Sequence, residues 1–321
     1  MGFIKKMKRK AAIISLAGTK LRKGEIQLIK KEKPWGIILF KRNIVSESQL
    51  INLIKKIRTI MRDKFYPILI DEEGGKVSRL SNFLDNKLYS QEYFGSIYEK
   101  NKTIGSAIYK TYIDSISKKL KFMGININNV PVLDIRDKSA HNIISSRSYS
   151  KNLKTINELG NICIDIYKKN KIATVIKHIP GHGRAKSDSH FKLPVIKENF
   201  KTLKITDFKC FKNRKSFFAM TGHILYSKID KQNNVTHSPK IISKVIRKLI
   251  GFKGILISDD ISMKALKYDI VQNAEIALRA GCNLVLYCWG KLPEMKKLLA
   301  RMPNIDSFTS KKTSEFYKFL S

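Results

Sequence analysis

Three of the six histidines of this 321-residue chain lie in one stretch, "VIKHIPGHGRAKSDSHFKLP", residues 175–194. His178, His182 and His190 share it with Asp188, which stands two residues before His190. Three chemistries suit such a loop. As a metal site, the imidazoles and Asp188 would be ligands, but H-x3-H-x7-H matches no common zinc spacing and leaves the distant Asp259 without a role. As a proton-transfer site, Asp188 would orient His190, an imidazole that works as acid and base near neutral pH. In the third reading the histidines merely cap loop turns. The second gains from Asp259, first of the pair in "GILISDD", which would serve as a nucleophile across from the loop. Because Asp259 and Asp260 alternate along a strand, only one of them is expected to reach a ligand. Further upstream, "DEEGGKVSRL" (71–80) sets Asp71, Glu72 and Glu73 before two glycines, with Lys76 and Arg79 after; these groups either hold hydroxyls or neutralise one another. "NIISSRSYS" adds Arg147.

These groups need a scaffold that brings distant segments together. Eight short runs of near-continuous apolar character recur at 11–18, 35–40, 66–71, 128–135, 172–178, 217–223, 254–260 and 283–289, the pattern of strands buried on both faces. Helical spacing fills most gaps. Residues 46–62 open on Ser46 as a cap and align Leu50, Ile51, Ile54 and Ile57. Residues 238–252 have Ser238 as cap, Pro239 in the first position and Gly251 as stop. Strand–helix alternation repeated eight times predicts an α/β fold, a single-domain (β/α)8 TIM-like barrel over residues 1–321 with a short helical segment at 305–321. Loops at 72–102, 136–150 and 179–200 absorb the length beyond a usual barrel. A doubly wound sheet is the alternative, but neither GxGxxG nor GxxxxGK[ST] follows any strand. In a barrel, chemistry sits where strands end. Asp71, Asp134, Lys177, His178, His223, Asp259 and Asp260 all fall at such ends.

Composition narrows the classes. Lys and Arg number 63 against 26 Asp and Glu, a formal net charge of +37. That excess would suit a nucleic-acid binder, but the lysines are dispersed, with no arginine-rich tail and no zinc-finger or RNP-like motif, so no specific nucleic-acid partner is expected. No run of eighteen apolar residues predicts a membrane span. Basic residues before "AAIISLAG" faintly suggest a signal peptide, but the run is short and meets Lys20, Arg22 and Lys23, so it reads as a first strand. Cys163, Cys210, Cys282 and Cys288 show no CxxC spacing, as expected of buried thiols in a reducing, cytoplasmic setting.

In order along the chain, "WGIILFKRNI", "IDEEGGKVSRL", "PVLDI", "RSYS", "KHIPGHGRAKSDSH", "MTGHILYSKID" and "GFKGILISDDISMKAL" resemble the motifs of glycoside hydrolase family 3 β-N-acetylhexosaminidases of the NagZ type. The similarity spans roughly residues 11–290. It implies a cytoplasmic, cofactor-free, metal-free, retaining enzyme, a monomer, that removes terminal N-acetylglucosamine from β-1,4-linked peptidoglycan fragments (anhydro-muropeptides) in cell-wall recycling. By motif, Asp259 corresponds to the nucleophile, His190 to the acid/base and Asp188 to its orienting partner. Asp71, Arg79, Arg147, Lys177 and His178 fall on sugar-binding positions. The chain departs from the pattern at Glu72, where Gln is common, at Ser146, where Glu often precedes "RSY", and at Arg184. An end soon after the eighth unit favours the single-domain type over larger β-glucosidases. A β-glucosidase, an N-acetylglucosaminide phosphorylase, a metal-dependent barrel hydrolase and a non-catalytic basic protein remain the alternatives.

Overall fold

The computed structural model describes residues 8–136, 144–185, 187–189 and 191–321. Eight parallel strands close a barrel in sequential order: β1 (Lys10–Ser15), β2 (Pro34–Leu39), β3 (Ile68–Ile70), β4 (Ile127–Asn128), β5 (Ala173–Ile179), β6 (Phe218–Thr221), β7 (Ile255–Asp260) and β8 (Leu284–Tyr287), with β8 returning to β1. The predicted α/β barrel is therefore the observed fold. A separate two-stranded pair, Val195–Ile196 with Leu225–Tyr226, stands above it.

Alternation along each strand sorts the apolar residues into two cores. Ala11, Ile13, Ile38, Leu69, Ile127, Val175, Phe218, Met220, Ile255, Ile257, Leu284 and Leu286 fill the barrel interior. Ala12, Ile14, Ile37, Ile68, Ile70, Ile176, Leu256 and Val285 face outward against the helices. This two-sided burial explains why the strands read as continuous apolar runs.

The helices follow their sequence signals. Ser46 caps Glu47–Met61 by accepting from the Gln49 N–H. Ser238 Oγ accepts from the Ile241 N–H at 3.0 Å, and Gly251 takes a left-handed φ of 79° at the end of Ile241–Ile250, which is wound as a π-helix. Two expectations need correction. The region expected as a long loop at 72–102 contains the helix Gln91–Lys100, capped by Ser90. The fourth strand is not 128–135 but only two residues, after which Val132 makes a single bridge to Lys177 and Asp134 lies beyond the strand. Asn126 and Asn128 hold this short strand by side-chain bonds to the backbone of β3 and its flanks, which takes the place of a longer ladder.

At the end where the strands begin, the helix Ser307–Leu320 closes the barrel. Phe316 is fully buried, 5.3 Å from the Phe218 ring, and Thr313 accepts the indole N–H of buried Trp35 at 2.9 Å. Truncation to Phe316→Ala should cost about 3–5 kcal/mol through the cavity left behind. Urea unfolding would measure it; a loss below about 1 kcal/mol would show that this helix does not seal the interior.

Candidate functional site

Following the inward register to the ends of the strands, and in three cases just beyond them, gives the floor of the site. After Ile38 comes Phe40, after Leu69 Asp71, after Val175 Lys177, after Ile257 Asp259 and after Leu286 Cys288. All five line one cavity of about 440 Å³ at the mouth of the barrel, a volume usual for a small-molecule site. Its walls include Glu73, Lys76, Arg79, Ser146, Arg147, His178, His182, Asp188, Ser189, Asp260 and Met263.

Its centre is a charge network buried against the barrel core. Lys177 Nζ lies 2.9 Å from Asp71 Oδ1 and 2.6 Å from Glu73 Oε1. Arg147 donates to both oxygens of Glu73, at 2.8 and 2.9 Å, in the bidentate geometry that a guanidinium favours. Asn129 and Arg79 approach Asp71 at 3.0 and 3.5 Å. Burial alone would push both carboxyls up, but Lys177 and Arg79 hold Asp71 far below the usual carboxylate range. Arg147 and Lys177 likewise hold Glu73 down to about 2. Burial works against the charge on Lys177 too, yet Asp71 and Glu73 raise it above its ordinary value.

The histidine loop leaves β5 under the control of Asp134. That carboxylate is fully buried and accepts His178 Nδ1–H at 2.7 Å, the His178 backbone N–H at 3.3 Å and the His182 backbone N–H at 2.6 Å. Burial would raise Asp134, but His178 and these bonds lower it. With Nδ1 bound to Asp134, His178 presents Nε2 to the cavity, 3.4 Å from Arg147 Nη2. His182 Nε2 sits 3.4 Å from Ser189 Oγ, linking the root of the loop to the segment that carries Asp188.

The adjacent carboxylates of β7 differ. Asp259 follows Ile255 and Ile257 on the inward face and is half-buried. Burial raises its carboxyl, yet His223, His178, the Asp260 N–H and Lys177 bring it below its ordinary value. For Asp260 burial prevails over its bonds from Ser262, and the neighbouring charge of Asp259 adds to it, pushing this carboxyl up to about 6. Its Oδ1 accepts Ser262 Oγ at 2.7 Å and the Cys288 N–H at 3.4 Å. The expectation that alternation lets only one of the pair reach a ligand is corrected in part: both line the cavity, where the pairing of β7 with β8 shifts register between Ile257 and Asp260 and breaks the simple alternation, but Asp260 is engaged locally.

The structure brings Asp71, Arg79, Arg147, Lys177, His178, Asp188 and Asp259 into one cavity. His190 lies outside the described residues. Sequence reading missed Glu73 as the hub of the network, Asp134 as the anchor of the loop, and Phe40, Met263 and Cys288 as walls. Continued alternation was the signal for the walls. Glu72 is turned away: it accepts from the N–H groups of Arg79 and Leu80 and from Asn86, shaping the loop behind the site. Arg184 pairs with Asp207 at 2.8 Å. Among the described residues, no three His, Cys, Asp or Glu side chains form a group able to hold a metal ion, and no helix is long and apolar enough to cross a membrane.

A pH signature follows from His182, which burial, aided by the neighbouring His178, depresses from its ordinary 6.5 to about 4. The unfolded chain therefore binds this proton first as pH falls, so stability is whole above about 6.5 and declines toward about 4. Compared with wild type, His182→Gln should lose less stability between pH 7 and 4.5 in urea unfolding. Identical declines would show that His182 carries none of the dependence.

Comparison with known proteins gives a consistent result. The model of the glycosyl hydrolase family 3 N-terminal domain matches residues 6–311. A β-hexosaminidase of Methylobacillus flagellatus is 31% identical over 281 residues, covering 86% of this chain and 79% of that protein. One from Haemophilus ducreyi is 32% identical over 284 residues, with 86% and 80% covered. Among solved structures, NagZ from Neisseria gonorrhoeae in complex with N-trifluoroacetyl-D-glucosamine superimposes with a TM-score of 0.87 at 25% identity, covering 96% of this chain and 90% of that one. The β-N-acetylglucosaminidase of Thermotoga maritima gives 0.78 at 25%, covering 97% and 66%.

Proposed function

The chain belongs to glycosyl hydrolase family 3 and is a glycoside hydrolase of the β-hexosaminidase kind, and from that premise we propose that it is a retaining exo-β-N-acetylglucosaminidase acting on β-1,4-linked peptidoglycan fragments during cell-wall recycling in the cytoplasm. The observation that carries the mechanism is that Asp259 and Asp188, from different segments, line the same cavity as the Asp71–Lys177–Glu73–Arg147 network. An ionised carboxylate thus faces the segment that bears the proton donor, over a floor of fixed donors and acceptors.

In this reading the sugar hydroxyls exchange hydrogen bonds with Asp71, Arg79, Arg147, Lys177 and His178, which are already oriented by one another. Asp259 attacks the anomeric carbon as the glycosidic C–O bond breaks, and His190 gives its proton to the departing oxygen. Water then loses a proton to His190 while its oxygen displaces Asp259, restoring the β configuration. Asp188 orients the imidazole and stabilises its charged form, as the third member of a triad does. The lowered pKa of Asp259 favours the ionised nucleophile at neutral pH, and the bonds that tie Asp260 to Ser262 and to the Cys288 N–H argue against that neighbour in the role.

Asp259→Asn should abolish hydrolysis of an aryl N-acetyl-β-glucosaminide while the protein remains folded; normal turnover by that variant would remove the nucleophile assignment. His190→Ala should slow substrates with poor leaving groups far more than those with activated ones, because only the former need the proton. Comparable losses on both would count against the acid role. Parallel assays on the matching glucoside and galactosaminide would test the preference for N-acetylglucosamine.

A further inference from the structure

The chain has two tryptophans, and they are treated in opposite ways. Trp35 is wholly buried, whereas Trp289 is 59% exposed. Trp289 follows Cys288, the cavity-wall residue just past the end of β8, and is not itself among the residues that line the cavity. The turn that carries it is clamped on both sides. Arg42 Nη2 donates to the Cys288 carbonyl and Arg42 Nε to the Leu16 carbonyl at 3.0 Å. Gly290, with a φ of 69°, packs so close to Leu16 that a Cβ would meet its backbone at 2.5 Å. The Arg42 guanidinium also lies 4.9 Å over Phe40, itself part of the cavity wall. Lys291, 3.3 Å from Glu294, has its Nζ 5.4 Å from the centre of the Trp289 indole. An indole left in water is a cost that folding ordinarily removes, and here the backbone that carries it is held on both sides.

We propose that Trp289 is the platform of an outer, aglycone subsite, on which the second pyranose ring of a β-linked disaccharide stacks its apolar C–H face while the terminal sugar occupies the cavity. The proposal rests on the glycosidase reading above and names where the leaving sugar is held. Both parts of a substrate must be gripped for the scissile bond to be aligned. A rigid aromatic surface beside the exit gains contact area without ordering a flexible side chain.

The test compares N,N′-diacetylchitobiose with N-acetylglucosaminyl fluoride, which has no ring at the aglycone position. Trp289→Ala should reduce kcat/KM on the disaccharide roughly tenfold more than on the fluoride, and Trp289→Phe should keep most of the disaccharide activity. Activity on the fluoride shows that the variant is folded; Trp289→Leu serves the same comparison if the alanine variant is not. Equal losses on the two substrates, or none on either, overturn the platform. A wild-type protein that leaves both substrates intact overturns instead the glycosidase reading on which it rests.

Discussion

The site depends on keeping four buried charges neutral as a set. Lys177 from β5 and Arg147 from the loop after β4 are set against Asp71 and Glu73 from the end of β3, and all four meet because β3, β4 and β5 are neighbours in the barrel. Removing an ion from water costs several kcal/mol even after relaxation, so any one of these charges left there alone would be strongly destabilising. Together they compensate one another: each cation touches Glu73, and Lys177 also reaches Asp71. The bidentate Arg147–Glu73 pair leaves Lys177 free to bridge the two acids, and Asn129 occupies a further position on Asp71. The consequence is a polar floor with fixed directions. Such preorganisation is where binding sites gain most, since their dipoles need not reorient when the ligand arrives.

A second buried carboxylate extends the order from the floor to the loop. Asp134 lies behind the site, yet its three N–H partners come from the last strand residues of β5 and from the root of the histidine loop. It therefore sets the orientation of the His178 ring and the direction in which the chain leaves toward Asp188. Gly183 shows how closely that path is fixed: a Cβ there would strike the Ile135 carbonyl oxygen at 1.6 Å. The contact between His182 and Ser189 carries the same constraint to the far side of the loop. Position, rather than an unusual side chain, is what the loop contributes.

Much of the fold was legible because a fully buried parallel strand leaves a distinctive trace, a short apolar run that recurs with the βα repeat. The same two-sided burial hid which residues face the axis. Ile255, Leu256, Ile257 and Ser258 are all buried, so their types do not say that 255 and 257 point inward and hence that Asp259 does too. The two-residue β4 was misjudged for a related reason: "NNVPVLDI" has strand-like composition, but Pro131 offers no N–H for a ladder, and the chain uses asparagine side chains in place of backbone pairs. Glu73 escaped notice because three adjacent acids look alike in a sequence. Only the tertiary partners separate them: Asp71 faces Lys177, Glu72 caps its own loop, and Glu73 takes Arg147 and Lys177. Chemically rich segments were readable; the pairing of charges across the barrel was not.

The contrast between Asp259 and Asp260 shows how identical side chains acquire different chemistry. They are consecutive, both belong to β7 and both line the cavity. Asp259 continues the inward series and lies in the field of His223, His178 and Lys177, so its charge is favoured despite burial. Asp260 lies one position off that series, against the Cys288 N–H and Ser262, and feels the charge of Asp259 itself; for it, desolvation prevails. Ionisation of Asp259 makes ionisation of Asp260 harder, so Asp260 is the last of the two to lose its proton as pH rises. A strand shifted by one residue would exchange the two environments, turning Asp260 toward the axis and Asp259 toward Ser262. The register of β7, held by its neighbours Met220–Ile257 and Leu284–Ile257, is therefore what decides which carboxylate continues the inward series into the cavity.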